Sequence, residues 1–326
     1  MKKPNGTEFR EDVRSGSYLA AAQIRALNEI DNGRALLSVL QTLSVIVSCI
    51  TAALIWWTPW VIVPAIIIVA TRQQACFVLA HDAAHYRLFS NRILNDLIGG
   101  FVATIVGISM RTYRVVHRLH HNHLYEARDP DIPLHGGYPR GKSYLFKKLG
   151  RDFLGLTAHK TYGYFFGAPA INDNAGTNNR PLDDTSPSLR LAARRDRWLV
   201  VTFHLTAPIL AFYFGFGLEY LILWVLPLVT VLQAILRLRA ICEHGAVKDT
   251  QSPLLAARTN VGPKVMIWLL FPHHVNYHIE HHLYPAIPHY NLPDCHAALK
   301  KLGVMENAEV RPITTTFAQI FAPRPT

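Results

Sequence analysis

The sequence predicts an all-α membrane protein, with about four membrane-spanning helices in two hairpins and a cytoplasmic helical cap that holds a site for two metal ions. Three observations carry this prediction. The 326-residue chain is 50% hydrophobic and only 17% charged. It contains several long apolar runs, and its histidines concentrate in short stretches outside them. A composition this apolar is unusual for a soluble protein.

The apolar runs set the number of crossings, because a membrane-spanning helix needs roughly 20 mostly apolar residues. The strongest run, from Ala35 to Trp57, carries no charge. We predict crossings at residues 35–57, 60–80, 198–217 and 219–240. A further run from Asp96 to Met110 has only about 15 residues between polar neighbours, which favours an interfacial, re-entrant or buried helix over a full crossing. Whether this run crosses stays open.

The distribution of positive charge predicts the orientation. The turns inside the two predicted hairpins contain no Lys or Arg, whereas six precede Ala35 and seventeen lie from His81 through Arg197. By the positive-inside rule, both termini and the long middle segment are cytoplasmic. The expected organisation is a cytoplasmic or interfacial arm at 1–34 and one domain at 35–326, with its cap formed by 81–197 and 241–326.

The arm and the net charge each leave alternatives. Apolar residues near helical spacing around Ile24 and Leu27 predict an interfacial helix or an ordinary solvated one. The formal charge of +11 is spread along cytoplasmic segments rather than gathered in a tract, so we predict no nucleic acid partner. A basic face beside a bilayer suits anionic headgroups or an acidic protein.

Eight of the seventeen histidines fall in three short boxes outside the predicted spans. The boxes are HDAAH (His81, His85), HRLHH (His117, His120, His121) and HIEHH (His278, His281, His282). Spacings of three and four residues put side chains on one face of a helix. A single i, i+4 pair often arises by chance, but two such triplets are hard to explain as solvated polar residues. The boxes therefore predict metal ligands.

A ninth candidate ligand is His244, which follows the last predicted span. Nine imidazoles exceed the three or four protein ligands of one zinc ion, so a pair of metals is the economical interpretation. Imidazole suits Zn, Cu, Fe and Ni alike and does not choose between them. The acidic residues Asp82, Glu243 and Glu280 are candidates to accept the second ring N–H of a ligand, or else are solvated charges.

Taken together, the boxes resemble those of the integral-membrane fatty acid desaturase and hydroxylase superfamily, the histidine-box non-haem di-iron enzymes. The resemblance covers most of the chain, and NYHIEHHLYPAIP from Asn276 to Pro288 is especially close to the last box of bacterial acyl-lipid desaturases. His244 in EHG is similar to an isolated ligand of the alkane hydroxylase branch. The resemblance implies residence in a bacterial inner membrane.

The same resemblance implies two iron ions that cycle between Fe2+ and Fe3+, with O2 as co-substrate. The iron pair itself would carry the chemistry, so no separate protein acid or base is assigned. The implied reaction is desaturation of an acyl chain of a fatty acid or lipid. A hydroxylase or oxygenase acting on an acyl, alkane or terpenoid chain is the alternative, because box spacing does not record how a substrate sits beside the irons.

Electrons are expected to come from another protein. The LHGGYP stretch from Leu134 to Pro139 lacks the HPGG motif of a fused cytochrome b5 domain, and no CxxC pair of rubredoxin type is present. We therefore predict a separate donor of ferredoxin or cytochrome type that docks on the basic cytoplasmic face.

Several residues near the boxes have weaker assignments. DPDI from Asp129 to Ile132 either braces a ligand histidine or forms a simple turn. His123, His273 and His274 lie outside the boxes and are at best supporting residues. The segment 168–188, rich in Asn, Asp, Pro and Ser, reads as a loop.

A non-catalytic alternative is a histidine-rich metal transporter or store. Transport favours ionisable groups within the bilayer, whereas the boxes lie outside the spans and only Arg72 and His204 interrupt the spans appreciably. A membrane zinc protease would need the Glu of HExxH as its general base, and this chain has Asp82 in that place.

Overall fold

The computed structural model describes residues 18–166, 170–172, 177–179, 182 and 185–324. The helices are α1 (Ala21–Leu27), α2 (Asn32–Ile55), α3 (Pro59–Ala84), α4 (Arg92–Ile105), α5 (Met110–Asn122), α6 (Ile132–His135), α7 (Lys142–Phe153), α8 (Ala158–Phe165), α9 (Pro187–Tyr213), α10 (Gly217–Tyr220), α11 (Leu226–Val229), α12 (Val231–His244), α13 (Lys264–Leu270), α14 (His278–Leu283), α15 (Leu292–Lys301) and α16 (Ile313–Ile320). A π-helical turn, Leu221–Val225, joins α10 to α11.

The described residues also form two small sheets. The all-α prediction did not include these sheets. Strands β1 (Ala170–Asn172) and β2 (Thr177–Asn179) pair antiparallel. Strands β3 (Thr259–Val261) and β4 (Val310–Pro312) pair in parallel. Each strand has three residues, which is too short for periodicity to reveal from sequence.

The long hairpin of α2 and α3 begins with a capped helix. The Asp31 side chain accepts hydrogen bonds from the backbone N–H groups of Gly33 and Arg34, which satisfies donors that a helix start leaves unpaired. Helix α2 buries a narrow stripe that includes Val39 and Ile46. Its remaining faces expose large apolar side chains, as expected where lipid rather than water is the surrounding medium.

In the part of the chain that the structure describes, three stretches of helix are long and apolar enough to cross a membrane: Asn32–Ile55, Pro59–Ala84 and Gly217–His244. They coincide with three of the predicted spans, at 35–57, 60–80 and 219–240. The last stretch is made of α10, the π-turn, α11 and α12 in succession. By length and composition, the described residues contain three candidate crossings, or four if the bent pair of α4 and α5 counts as one.

The predicted span at 198–217 differs from the structure. It falls in α9, which ends at Tyr213 and is not among the helices that meet the length and apolarity criterion. The reason is that Asp196 and Arg197 precede the apolar part and His204 interrupts it. Apolar side chains of α9 such as Leu199 and Ile209 are nevertheless exposed.

The run from Asp96 to Met110 contains most of α4 and the bend into α5, and the two helices meet at 94°. Helix α4 packs closely on α3, since a Cβ added at Gly99 would lie 2.3 Å from the Cβ of Ala83. Ser109 begins α5 by accepting a hydrogen bond from the N–H of Thr112. The bend turns α5 across the end of α3, which brings the second histidine box beside the first.

The described part of the predicted arm packs onto the C-terminal region. The backbone N–H groups of Tyr18 and Leu19 donate to the hydroxyl of Tyr284, and Ile24 and Leu27 pack on the buried cluster around α15. Residues 1–17 of the arm lie outside the described residues, as do residues 168–169, 173–176, 180–181 and 183–184 of the predicted loop at 168–188.

Candidate metal centre

The fold delivers all nine candidate histidines to one region at the end of the helix bundle. His81 lies in the last turn of α3 and His85 directly follows that helix. Helix α5 carries the second box, His244 is the last residue of α12, and the short helix α14 carries the third box.

Five of these histidines form one group, which we call the five-histidine cluster: His81, His85, His117, His121 and His281. One ring nitrogen from each lies within 4.8 Å of the others. The Nε2 atom of His281 is 3.0 Å from that of His81 and 2.9 Å from that of His121. The Nε2 atoms of His117 and His121 are 2.9 Å apart.

The other four form the four-histidine cluster: His120, His244, His278 and His282, again with one ring nitrogen each within 4.8 Å of the others. The Nε2 atom of His244 is 3.2 Å from that of His120 and 2.7 Å from that of His278. The Nε2 atoms of His278 and His282 are 3.2 Å apart. His244 therefore lies with box histidines.

The two clusters are neighbours, because adjacent histidines in the sequence divide between them. Consecutive residues on a helix point about 100° apart, at 3.6 residues per turn. His121 therefore joins the five-histidine cluster while His120 joins the other. His281 and His282 also divide, with His281 in the five-histidine cluster and His282 in the four-histidine cluster. The rings of His121 and His282 stack across the boundary with centroids 4.4 Å apart.

Three ligand candidates have an acceptor at the second ring nitrogen. The Nδ1 atom of His81 is 3.3 Å from a carboxylate oxygen of Asp82, and Nδ1 of His120 is 2.9 Å from Asp129. The Nδ1 atom of His244 is 3.3 Å from the carbonyl oxygen of Ala256. Such acceptors fix the tautomer and the ring orientation of metal-binding histidines.

The predicted outer acceptors have different contacts. Asp82 contacts His81 as predicted and also holds His289, whose Nδ1 is 2.7 Å from Oδ2 of Asp82. Glu243 instead accepts a hydrogen bond from Arg239. Glu280 accepts one from the Thr259 hydroxyl at 2.6 Å and contacts Nδ1 of His296, so neither of the latter two faces the Nδ1 of a box histidine.

The DPDI stretch both contacts a ligand histidine and forms a turn. One carboxylate oxygen of Asp129 contacts His120 and accepts the N–H of Asp131, while the other accepts the N–H of Tyr125. Asp129 also lies 3.5 Å from Nε2 of His135. His135 is fully buried and was not singled out from the sequence, because a lone histidine carries no spacing signal.

The three histidines that the sequence left as supporting residues at best, His123, His273 and His274, are not members of either cluster. His123 pairs with Glu126 at the surface. The Nε2 atom of His273 is 2.8 Å from the hydroxyl of Thr42. The rings of His274 and Tyr277 are tilted by 42° to each other, with centroids 6.3 Å apart.

The tautomers imposed by the acceptors test whether the clusters fit metal ions. A neutral imidazole has one N–H. If Nδ1 of His120 donates to Asp129 and Nδ1 of His244 donates to Ala256, both Nε2 atoms are bare lone pairs. They nevertheless face each other at 3.2 Å, where they repel unless a metal ion or a proton lies between them.

The separations also fit coordination. Two nitrogens about 2.1 Å from one ion and at right angles to each other would be about 3 Å apart, and the Nε2 separations given above are close to this. Burial lowers the pKa of His281 and His282 well below the ordinary value. Both rings are therefore neutral at physiological pH, which is the protonation state that binds a metal.

The comparison with known families decides the assignment. A family model described as fatty acid desaturase matches residues 55–314, which include all nine histidines of the two clusters. The chain belongs to the fatty acid desaturase family. This confirms the resemblance predicted from the histidine boxes.

Individual desaturases show the same relationship at low identity. The chain is 25% identical to dihydrorhizobitoxine desaturase of Bradyrhizobium elkanii, over 85% of this chain and 80% of that protein. It is 26% identical to fatty acid desaturase 3 of Bos taurus, over 81% and 60%. It is 24% identical to the sn-1 acyl-lipid omega-3 desaturase (ferredoxin) of Nostoc, over 71% and 65%.

Membership of the desaturase family makes the chain an oxidoreductase rather than a metal transporter or store. The desaturase names of its relatives support desaturation of an acyl chain. One relative is named for dihydrorhizobitoxine rather than for a lipid. The family therefore indicates the reaction more firmly than it indicates the substrate.

Proposed function

We propose that this desaturase introduces a double bond into the acyl chain of a fatty acid or membrane lipid, using O2 and two iron ions held by the two histidine clusters. The observation that carries the proposal is the convergence of nine imidazole nitrogens in two adjacent groups with the spacing of metal ligands. The five-histidine cluster would hold one ion and the four-histidine cluster the other.

The residues of the chain have distinct roles in this proposal. The histidines hold the ions, and Asp82, Asp129 and the Ala256 carbonyl orient the rings through Nδ1. The low exposure of most of the nine rings excludes bulk water from the centre. An iron pair, when bound, supplies the reductive activation of O2 that an unactivated methylene requires, which redox-inert zinc would not.

We place the protein in a bacterial inner membrane with both termini and the metal centre cytoplasmic. The exposed aromatic residues Trp57 after α2, Trp60 at the start of α3 and Phe214 between α9 and α10 support a membrane interface at these turns, because aromatic side chains concentrate at membrane interfaces, and the distribution of Lys and Arg supports the orientation. The proposal keeps the arm 1–34 and the single domain 35–326 as they were predicted from the sequence.

We also propose a separate electron donor of ferredoxin or cytochrome type. Relatives of this chain are named with ferredoxin or with cytochrome b5 as part of the name. The basic cytoplasmic face would attract an acidic donor through long-range charge, which salt screens. Turnover should therefore fall as ionic strength rises, and turnover that is insensitive to salt would argue against this docking.

A hydroxylase of the same architecture is the second candidate. It is favoured by His244, which lies in the four-histidine cluster and matches the isolated histidine of the alkane hydroxylase branch. The two reactions give different products. Desaturation removes two hydrogen atoms from the substrate, and hydroxylation adds one oxygen atom.

One experiment tests both the chemistry and the metal. The chain is expressed in a bacterial host, its iron content is measured after purification, and the host lipids are profiled by mass spectrometry. We expect bound iron and lipids that have lost two hydrogens. His121→Ala should lose both properties, whereas the matched control His123→Ala, a surface histidine, should keep them. Active protein that contains no iron would reject the proposal.

A further inference from the structure

The α7–α8 hairpin, residues Lys142–Phe165, lies along α12 in a way that the desaturation chemistry does not explain. Buried Asp152 accepts hydrogen bonds from the Arg237 guanidinium on α12. At the turn, a Cβ added to Gly155 would lie 3.2 Å from the carbonyl oxygen of Val229. The turn therefore sits directly against the backbone of the apolar stretch that contains α12.

These contacts place the turn far from the metal centre and deep along the bundle. The hydroxyl of Tyr162, on the returning helix, donates to the Leu228 carbonyl at 3.1 Å. Leu228 lies sixteen residues before His244 in the apolar stretch Gly217–His244, which at about 1.5 Å per residue corresponds to roughly 24 Å along that stretch. Because this stretch is long and apolar enough to cross a membrane, the turn lies beside a candidate membrane-spanning segment.

The tip of the hairpin is apolar and uncovered. Phe153, Leu154 and Leu156 are 56%, 69% and 54% exposed. Phe146, earlier on α7, is 62% exposed. An apolar tip of this size is unfavourable in water. The same residues would be stable beside the exposed apolar faces of the neighbouring membrane-spanning helices.

The rest of the hairpin surface is cationic. Lys142, Lys147, Arg151 and Lys160 are exposed. The only acidic residue in the hairpin is Asp152, which is buried against Arg237. Apolar residues at one level with lysine and arginine beside them are typical of a helix that lies in the interface of a membrane with anionic lipids.

We propose that the α7–α8 hairpin inserts its tip into the cytoplasmic leaflet and binds acidic phospholipid headgroups through the cations around it. The inference rests on the membrane placement given under the proposed function. Two observations favour lipid as the occupant of this surface. The apolar tip continues the exposed apolar surface of the membrane-spanning helices, and the hairpin exposes no acidic side chain. An acidic electron-donor protein is the competing occupant, and it would not require a tip at membrane depth.

The depth of the tip is measured in proteoliposomes by spin labelling. A nitroxide on Leu154→Cys should be more accessible to oxygen than to a water-soluble nickel chelate, as should one on Leu40→Cys, an exposed position of α2. A nitroxide on Lys301→Cys, exposed on α15, should show the opposite. Unsubstituted protein gives the background from native cysteines.

The headgroup preference is measured as a melting temperature in nanodiscs of phosphatidylcholine with and without phosphatidylglycerol. The native protein should gain a few degrees from phosphatidylglycerol, and the double variant Lys147→Glu, Arg151→Glu should lose this gain. The double variant Lys300→Glu, Lys301→Glu on α15 makes the same change of charge elsewhere and should keep it.

Each contrary result has a separate meaning. A Leu154→Cys label that behaves like Lys301→Cys, while Leu40→Cys reports the bilayer, overturns this inference and leaves the membrane placement intact. A water-exposed Leu40→Cys label contradicts the placement itself, and with it the inference. An undiminished phosphatidylglycerol effect in the Lys147→Glu, Arg151→Glu variant rejects headgroup binding by this surface. A raised KM of the same variant for the electron donor in neutral lipid assigns the surface to the donor instead and also rejects headgroup binding.

Discussion

The Nδ1 atom of His120 lies 2.9 Å from Oδ1 of Asp129, and its Nε2 atom lies 3.2 Å from Nε2 of His244. The two contacts are linked through the ring, because a proton held on Nδ1 leaves a lone pair on Nε2. Asp129 thus prepares His120 for a cation shared with His244, although Asp129 is not itself a member of the four-histidine cluster.

Asp129→Asn should weaken metal binding at the four-histidine cluster by roughly 10–100-fold, the usual cost of losing an outer partner of a metal-bound histidine. The amide keeps the shape of the carboxylate but removes its charge. Titration of metal-free protein with Co2+ should then show one weakened site and one unchanged site. Equal weakening of both sites would show that Asp129 acts on the fold rather than on His120.

The clusters use the two triplets in opposite senses. In the second box the outer histidines, His117 and His121, join the five-histidine cluster, and His120 joins the other. In the third box the outer pair joins the four-histidine cluster, and His281 crosses to the five-histidine cluster. Each short helix therefore supplies ligands to both groups.

This arrangement predicts unequal effects of two adjacent substitutions. His281→Ala leaves four histidines in its cluster, whereas His282→Ala leaves three, so the latter variant should lose metal to a chelator faster. Both variants should lose desaturation, because each opens a coordination position. Metal content against time in chelator, measured on both proteins, checks the order. The reverse order would contradict the division of ligands.

Spacing alone identified the histidines but not their partition. An HxxHH triplet places three rings near one helix face whichever cluster each one joins, so His120 and His281 could not be assigned before α5 and α14 were seen together. The Ala256 carbonyl and His289 carried no signal, because a backbone oxygen or a single histidine becomes relevant only through a contact between distant parts of the chain.

The membrane helices show a similar limit. Helices α2 and α3 were predictable because their apolar runs are long and, apart from Arg72 in α3, uncharged. The end of α9 was harder to predict, since the apolar run that begins at Trp198 continues in sequence beyond Tyr213, where the helix ends. The run beyond Tyr213 forms a turn of exposed Phe214 and Phe216, and hydropathy does not distinguish an apolar turn from an apolar helix.

The ion pair between Asp152 and Arg237 predicts a large effect on stability. Asp152→Ala would leave the Arg237 guanidinium mostly buried without its carboxylate, which costs about 3–5 kcal/mol where a buried pair is broken. The melting temperature in detergent should fall clearly. Glu306→Ala, at an exposed position, serves as the control and should change it little. An equal fall in the melting temperature of Glu306→Ala would mean that the loss in Asp152→Ala is not specific to the ion pair.

Buried histidines also predict how the stability of the metal-free protein depends on pH. Burial lowers the pKa of His85 to about 3 and that of His278 well below its ordinary value, while the unfolded chain titrates near pH 6.5. As pH falls through about 6.5, the unfolded state binds protons that the native state does not, so the free energy of unfolding decreases. This contribution to stability is complete above that pH and is lost progressively below it.

Thermal unfolding of metal-free protein in detergent should therefore show a melting temperature that is level above about pH 7 and falls toward about pH 5. The His85→Gln variant removes one of these titrating groups and should show a shallower fall. A bound metal keeps the rings deprotonated, so loaded protein should hold its melting temperature to lower pH than metal-free protein. A metal-free protein whose melting temperature rises on acidification would mean that the clustered rings are protonated in the native state, and lone pairs facing a shared cation would then be the wrong description of this centre.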